Sequence, residues 1–287
     1  MGFRISAESL AALVLAMPLA HAQQGPDTHQ PTIEEITQLK QNPVSGLRSV
    51  FLEDETATIG AKAANAFSVQ PVWPFDISED WKLITYTIMP VASLPALGSG
   101  NSNQGETSGL QSLPAVAPAG DRILGLGNIL FNGYITLKKP EGSFVWGVGP
   151  SVQLPTRTNP ALGSNRVSAG PALLLYDSSG PWAGGVVLQN FWSLGGTGTN
   201  RVNNFATQYI LYYNFPDGWS LESNATVRAN WLAAPQNRWL VPLGGGIGKT
   251  FQISSRFYSA SLQGFCNVER PSTIGKWAVI ATFQIIF

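Results

Sequence analysis

The chain has 287 residues, zero formal net charge and only 12% charged side chains, with 30 glycines, 20 prolines and nine tryptophans. Such a neutral chain, with no basic run interleaved with aromatics, excludes nucleic acid as a partner, and Cys266 as the single cysteine excludes an intramolecular disulfide. Beyond the first two dozen residues no apolar run is long enough for a membrane helix, so a membrane-embedded chain of this composition has to be a closed barrel.

Arg4 leads into an Ala/Leu-rich stretch over 10–19 that ends in Ala20-His21-Ala22, the alternate small residues a signal peptidase requires. Removal of residues 1–22 is predicted, leaving Gln23 first. The stretch is too short for a spanning helix of about 20 residues, and Pro18 interrupts it. No cysteine follows the cleavage site, so no lipid anchor is expected there. Residues 23–45 then form an N-terminal periplasmic extension. Within it Thr32 and Glu35 make a capping box, and Ile33, Ile36 and Leu39 recur three apart, predicting one short amphipathic helix. A plug at a barrel mouth and a frayed tail both fit it.

From residue 46 onward, extended segments of roughly ten residues alternate between short turns and long loops. The segments are 46–58, 64–75, 81–93, 122–137, 144–155, 167–177, 182–194, 204–215, 219–232, 239–251, 256–268 and 276–287. The reading is all-β: an antiparallel transmembrane β-barrel of about 12 strands over 46–287, even in number and with both chain ends on the short-turn rim. Alternation in the first strand is poor. Pro71, Pro74, Pro90, Pro150, Pro155, Pro171 and Pro242 fall in or beside strands, where each removes a ladder hydrogen bond and predicts a bulge.

Aromatics should collect at the two membrane interfaces. Trp73, Trp81, Trp146, Trp182, Trp219 and Phe287 lie beside short turns; Trp192, Trp231, Trp239 and Trp277 lie beside long loops. Strand 219–232 shows two faces. Trp219, Leu221, Ala225, Val227, Ala229 and Trp231 share one, interrupted by Ser223, and Ser220, Glu222, Asn224, Thr226, Arg228 and Asn230 share the other. An arginine facing hydrocarbon at midplane costs roughly 2–4 kcal/mol, so the polar face looks into the lumen. By the same alternation Ser259, Ser261, Gln263 and Asn267 face inward from 256–268, and Asn128, Asn132 and Thr136 from 122–137. The final strand puts Trp277, Val279, Ala281, Phe283, Ile285 and Phe287 on one face and ends on an aromatic, the pattern of a closing barrel strand.

Several segments carry a family resemblance: Gln70-Pro71-Val72-Trp73-Pro74-Phe75, Trp146-Gly147-Val148-Gly149-Pro150, Phe215-Pro216-Asp217-Gly218-Trp219, and the run from Asn237-Arg238-Trp239 through Gly244-Gly245-Gly246 to Lys249. In these the chain resembles Gram-negative outer-membrane proteins labelled transporter-like or grouped as meta-pathway phenol-degradation proteins. The resemblance implies a transport-type role and leaves the cargo open. In two places the chain departs from that pattern. Asn128 follows Gly125-Leu126-Gly127 where the family carries an acidic residue, and the 94–122 loop is long and Ser/Gly/Asn-rich.

These features predict a passive channel or transporter for small solutes in the outer membrane, with Glu222, Asn224, Arg228, Asn230, Gln263, Asn128 and Asn132 setting lumen polarity. The expected partners are outer-membrane lipid, a small-molecule solute and, through the C-terminal strand, the barrel-assembly machinery. The alternatives are a plugged structural barrel, an outer-membrane lipid hydrolase, and a secreted soluble β-sandwich that binds glycans. After processing, His29 is the only histidine left for Ser-His chemistry, which disfavours the hydrolase. No metal or organic cofactor is expected.

Overall fold

The computed structural model describes residues 31–59, 62–95, 121–196 and 201–287. The segment 1–22 predicted to be a signal peptide, His29 and most of the 94–122 loop lie outside the described residues.

Helix α1 (Ile33–Gln41) starts at the capping box. Thr32 Oγ1 accepts from the Glu35 amide at 3.2 Å, and the Glu35 carboxylate accepts from the Thr32 amide at 2.8 Å. The wall follows as β1 (Ser49–Ile59), β2 (Lys62–Asp76), β3 (Trp81–Leu94), β4 (Ile123–Leu126), β5 (Ile129–Leu137), β6 (Val145–Leu154), β7 (Arg166–Ser179), β8 (Trp182–Gly196), β9 (Asn203–Asn214), β10 (Trp219–Asn230), β11 (Trp239–Ile253), β12 (Arg256–Glu269) and β13 (Ile274–Ile286). Each strand pairs antiparallel with its neighbours, β1 joins β13 from Ser49↔Ile286 onward, and β2 pairs with β3. The sheet is therefore a closed barrel, and a two-layer sandwich is excluded. Because β4 and β5 both pair with β3, they occupy one wall position, which makes twelve positions in all.

The segment 122–137 is broken rather than continuous. Pro90 on β3 has no amide to donate, and its carbonyl instead accepts from Gly127, which steps the chain out of register between β4 and β5. Pro150 and Pro171 stand opposite each other. Beside them the strands close up: a Cβ on Gly149 would sit 1.8 Å from the Gly133 carbonyl oxygen, and one on Gly170 1.6 Å from that of Asn190. At these positions only glycine lets the backbones approach.

Side chains on the outer face are largely apolar and solvent-accessible, among them Leu211, Leu221, Leu243, Ile247, Leu262, Val279 and Phe283. Trp182, Trp219, Phe75, Phe144, Phe215 and Phe287 are exposed near the short-turn rim, and Trp192, Trp231 and Trp277 near the other. Cations sit over several short-turn rings: Arg48 over Trp73 at 5.2 Å, Lys249 over Trp219 at 4.8 Å and Arg256 over Phe287 at 5.7 Å. Among the described residues no helix is long and apolar enough to cross a membrane.

Leu262 is 56% exposed on this face, while its neighbour Ser261 borders the interior. Leu262→Arg is expected to lower stability by roughly 2–4 kcal/mol in urea unfolding from liposomes, with Ser261→Arg tolerated. Equal effects at the two positions would contradict the assignment of faces.

Candidate lumen site

The interior holds a cavity of about 250 Å³ bordered by inward side chains from around the wall. Its short-turn mouth is crossed by α1 and the segment after it. Glu34 Oε1 accepts from the Asp217 amide at 3.1 Å. Lys40 Nζ lies 3.3 Å from Glu222 Oε1, with the two side chains only 6% and 4% exposed. Gln41 and Asn214 exchange amide hydrogen bonds of 2.7 and 3.0 Å. Further along, Val44 packs on Gly147 and Lys82 Nζ donates to the Ser45 carbonyl at 3.0 Å. The strap therefore runs from the β9/β10 side of the mouth to the β3/β6 side before the chain turns into β1.

The opposite end is covered by the β6–β7 connection, residues 155–165. Leu162, in a short 3-10 turn over Pro160–Leu162, is fully buried in an apolar cluster with Ala57, Ile59, Ala64, Ala92, Leu94 and Phe265. Thr156 and Thr158 hydroxyls accept from the Ile129 and Leu126 amides at 2.9 and 3.0 Å, supplying the ladder bonds that the β4/β5 break removes. Asn128 belongs to this cover. Its Nδ2 donates to the Ser164 carbonyl at 3.0 Å and its side chain abuts Gly163, so it does not border the cavity as the alternation predicts.

The other predicted lumen residues, Glu222, Asn224, Arg228, Asn230, Gln263 and Asn132, all border the cavity. They are not independent groups. Glu222 is tied to Lys40 and accepts from Ser220 Oγ at 2.8 Å. Asn224 Oδ1 accepts from Gln208 at 2.8 Å, and Asn132 Oδ1 accepts from Gln189 at 2.7 Å. Sequence reasoning missed two lumen carboxylates, Glu53 and Glu55 on β1, which interact electrostatically with Arg228 on β10. The period-two set Phe51, Glu53, Glu55, Ala57 was present, but its other face was obscured by Asp54 and Thr56. On that face Asp54 is satisfied by Asn65 Nδ2 at 2.8 and 2.9 Å.

One seam of the wall is irregular. Between β10 and β11 the register stops at Glu222↔Gly246 and resumes at Arg228↔Leu240. Side chains take over the missing ladder: Gln263 Oε1 accepts from the Asn224 amide at 3.0 Å, Ser223 Oγ donates to the Gly244 carbonyl at 2.6 Å, and Tyr209 donates to the Pro242 carbonyl at 3.1 Å. Ala225 and Ala229, which alternate with the inward residues of β10, also border the cavity here. Pro242 lacks the amide a regular strand would donate at this place.

No protein-family model matches the chain, and no curated protein does. Among solved structures, an outer membrane channel from Pseudomonas putida F1 is similar over 93% of this chain and 100% of that one, with TM-score 0.62 and 13% identity. The NanC porin aligns over 84% and 98% of the two chains with TM-score 0.46 and 10% identity. Outer membrane phospholipase A from Escherichia coli aligns over 84% and 92% with TM-score 0.42 and 11% identity. The first of these likenesses shows a shared barrel fold.

Proposed function

We propose that this chain is a passive outer-membrane channel for small solutes, within the transporter-like group its motifs resemble. The observation that carries the reading is the cavity of about 250 Å³, lined by both polar and apolar side chains, inside a closed wall whose outside is apolar between two aromatic rims. Open space next to Glu53, Arg228 and a series of carboxamides favours passage over a solid core. The similar structure from Pseudomonas putida F1 is described as an outer membrane channel, which agrees with the proposal. The strap makes the resting pore narrow, so the proposed channel is gated at its short-turn mouth. Strand β13 ends beside Arg48, whose carbonyl accepts from the Phe287 amide at 2.9 Å, and is proposed as the element the assembly machinery reads.

The hydrolase reading finds less support. Ser-His chemistry needs a histidine beside the serine, and His29 is the only histidine left once residues 1–22 are removed. The test is planar-bilayer recording of the refolded mature chain. Discrete conductance steps are expected; a silent bilayer together with lipase activity would replace the channel with the enzyme.

A further inference from the structure

One row of the outward wall breaks the apolar rule. Thr56 on β1, Asn65 on β2, Ser93 on β3 and Leu124 on β4 stand side by side in register, and three of the four are polar. Glu53 and Glu55 border the cavity, so Asp54 and Thr56, which alternate with them, point outward. Ala64, Ala66, Ala92 and Leu94 are buried in the interior cluster, which turns Asn65 and Ser93 the same way. Asn65 Nδ2 donates to the two Asp54 carboxylate oxygens at 2.8 and 2.9 Å and to Thr56 Oγ1 at 2.9 Å, and Thr56 Oγ1 donates to Asp54 at 3.4 Å. Among the described residues Asp54 thus meets neutral donors and no cation. A carboxylate on the lipid face costs free energy that grows with depth, and an ionisable group kept there marks a site of contact.

The row lies on the long-loop half of the wall, which faces the outer leaflet. Arg122, two residues from Leu124 toward the rim, is exposed and anchored on the wall: its Nη1 donates to Ser93 Oγ and its Nη2 to the Ala63 carbonyl, both at 2.9 Å. A guanidinium has five N–H donors, so these bonds hold the group in place and leave others facing out. Lys62 on β2 and Lys276 on β13 are exposed at the same rim, with Asp121 the acid beside Arg122. From the level of Arg122 to that of Asp54 is about 14 Å along the strands, roughly 10 Å in depth for a tilted wall. The strip therefore offers a cation at headgroup level and hydrogen-bond acceptors just beneath it, flanked by the exposed side chains of Phe67 and Leu124.

We propose that this strip binds the phosphorylated glycolipid of the outer leaflet, lipid A. Arg122 takes a sugar phosphate, and Asp54, Asn65 and Thr56 take the amide N–H and acyl-chain hydroxyl groups below the sugar. A glycerophospholipid brings phosphate, but its ester-linked chains carry no donor down to Asp54. A second copy of this chain would bring another Asp54 to the same depth, where like charges repel in a medium of low dielectric. The site is independent of what passes through the lumen.

The experiment titrates lipid A, or cardiolipin, into the refolded mature chain in detergent and reads retained lipid by native mass spectrometry. Cardiolipin supplies two phosphates on ester-linked chains. The parent is expected to retain lipid A at about tenfold lower concentration than cardiolipin. The double variant D54L/N65V makes the wall more apolar, and heat-modifiable migration checks that it folds. It is expected to weaken lipid A about tenfold and leave cardiolipin unchanged. Arg122→Gln is expected to weaken both lipids. Equal retention of the two lipids by the parent, or a D54L/N65V chain that holds lipid A as the parent does, overturns the site. So does a two-chain mass that carries no lipid and is lost in D54L/N65V, which assigns the patch to self-association instead.

Discussion

Lys40→Met is expected to convert the resting pore into one that spends most of its time in a high-conductance state. Lys40 and Glu222 form a buried pair at 3.3 Å, supported by Ser220 on the carboxylate and by the Tyr212 ring 5.7 Å from the ammonium. Removing one partner of such a pair leaves an uncompensated charge and costs roughly 3–5 kcal/mol. Here the penalty falls on the seated strap alone, because once α1 leaves, Glu222 is open to lumen water. At about 1.4 kcal/mol per factor of ten, the seated-to-released ratio falls by about a hundredfold or more. The double variant K40M/E222Q buries no charge and is expected to return most of the way to the closed level. The Gln41–Asn214 bonds and the packing of Val44 on Gly147 still hold the strap in that variant. Open-state occupancy in planar bilayers across the four combinations measures the coupling. If K40M behaves like the parent, the pair is not a latch.

A second large effect is expected where two strands touch backbone to backbone. Gly246 on β11 has no room for a methyl: its Cβ would lie 1.8 Å from the Leu262 carbonyl oxygen and 2.7 Å from the Gln263 Cα. Relief requires β11 and β12 to part beside the β10/β11 seam, where the ladder is already interrupted. Gly246→Ala is expected to cost about 3 kcal/mol or more, beyond ordinary overpacking, and to reduce the heat-modifiable folded form. Gly264, on the facing strand opposite Gly245, has nothing within 4 Å of its Cβ position. Gly264→Ala is therefore expected to be neutral or to stabilise by roughly 0.5–1 kcal/mol, since glycine inside a strand costs about that much. Urea titration of the two variants in liposomes compares one chemical change in two surroundings. Matching midpoints would show that the close approach at Gly246 is relieved at no cost.

The barrel was readable from the amino-acid order because its signals are local. In a strand the period is two, so Leu262 against Ser261 and Gln263 reports two solvents within three residues. Turn spacing set the count of wall positions, and a capping box marked α1. What stayed hidden was each contact that needs the wall to close first. The Lys40–Glu222 pair joins residues 182 positions apart, and no periodicity shows that a short amphipathic helix lies inside the mouth rather than outside it. Asn128 illustrates the converse: alternation sends it inward, but the step forced by Pro90 and Gly127 hands it to the loop cover. Glu53 and Glu55 were passed over because Asp54 and Thr56 made their strand look two-sidedly polar, and only the register against Phe67 and Asn65 shows how the outer polar groups are satisfied. Pattern thus determined which solvent each strand face meets. Closure decided which lumen groups pair with one another, because those pairings join distant wall strands across a shared interior.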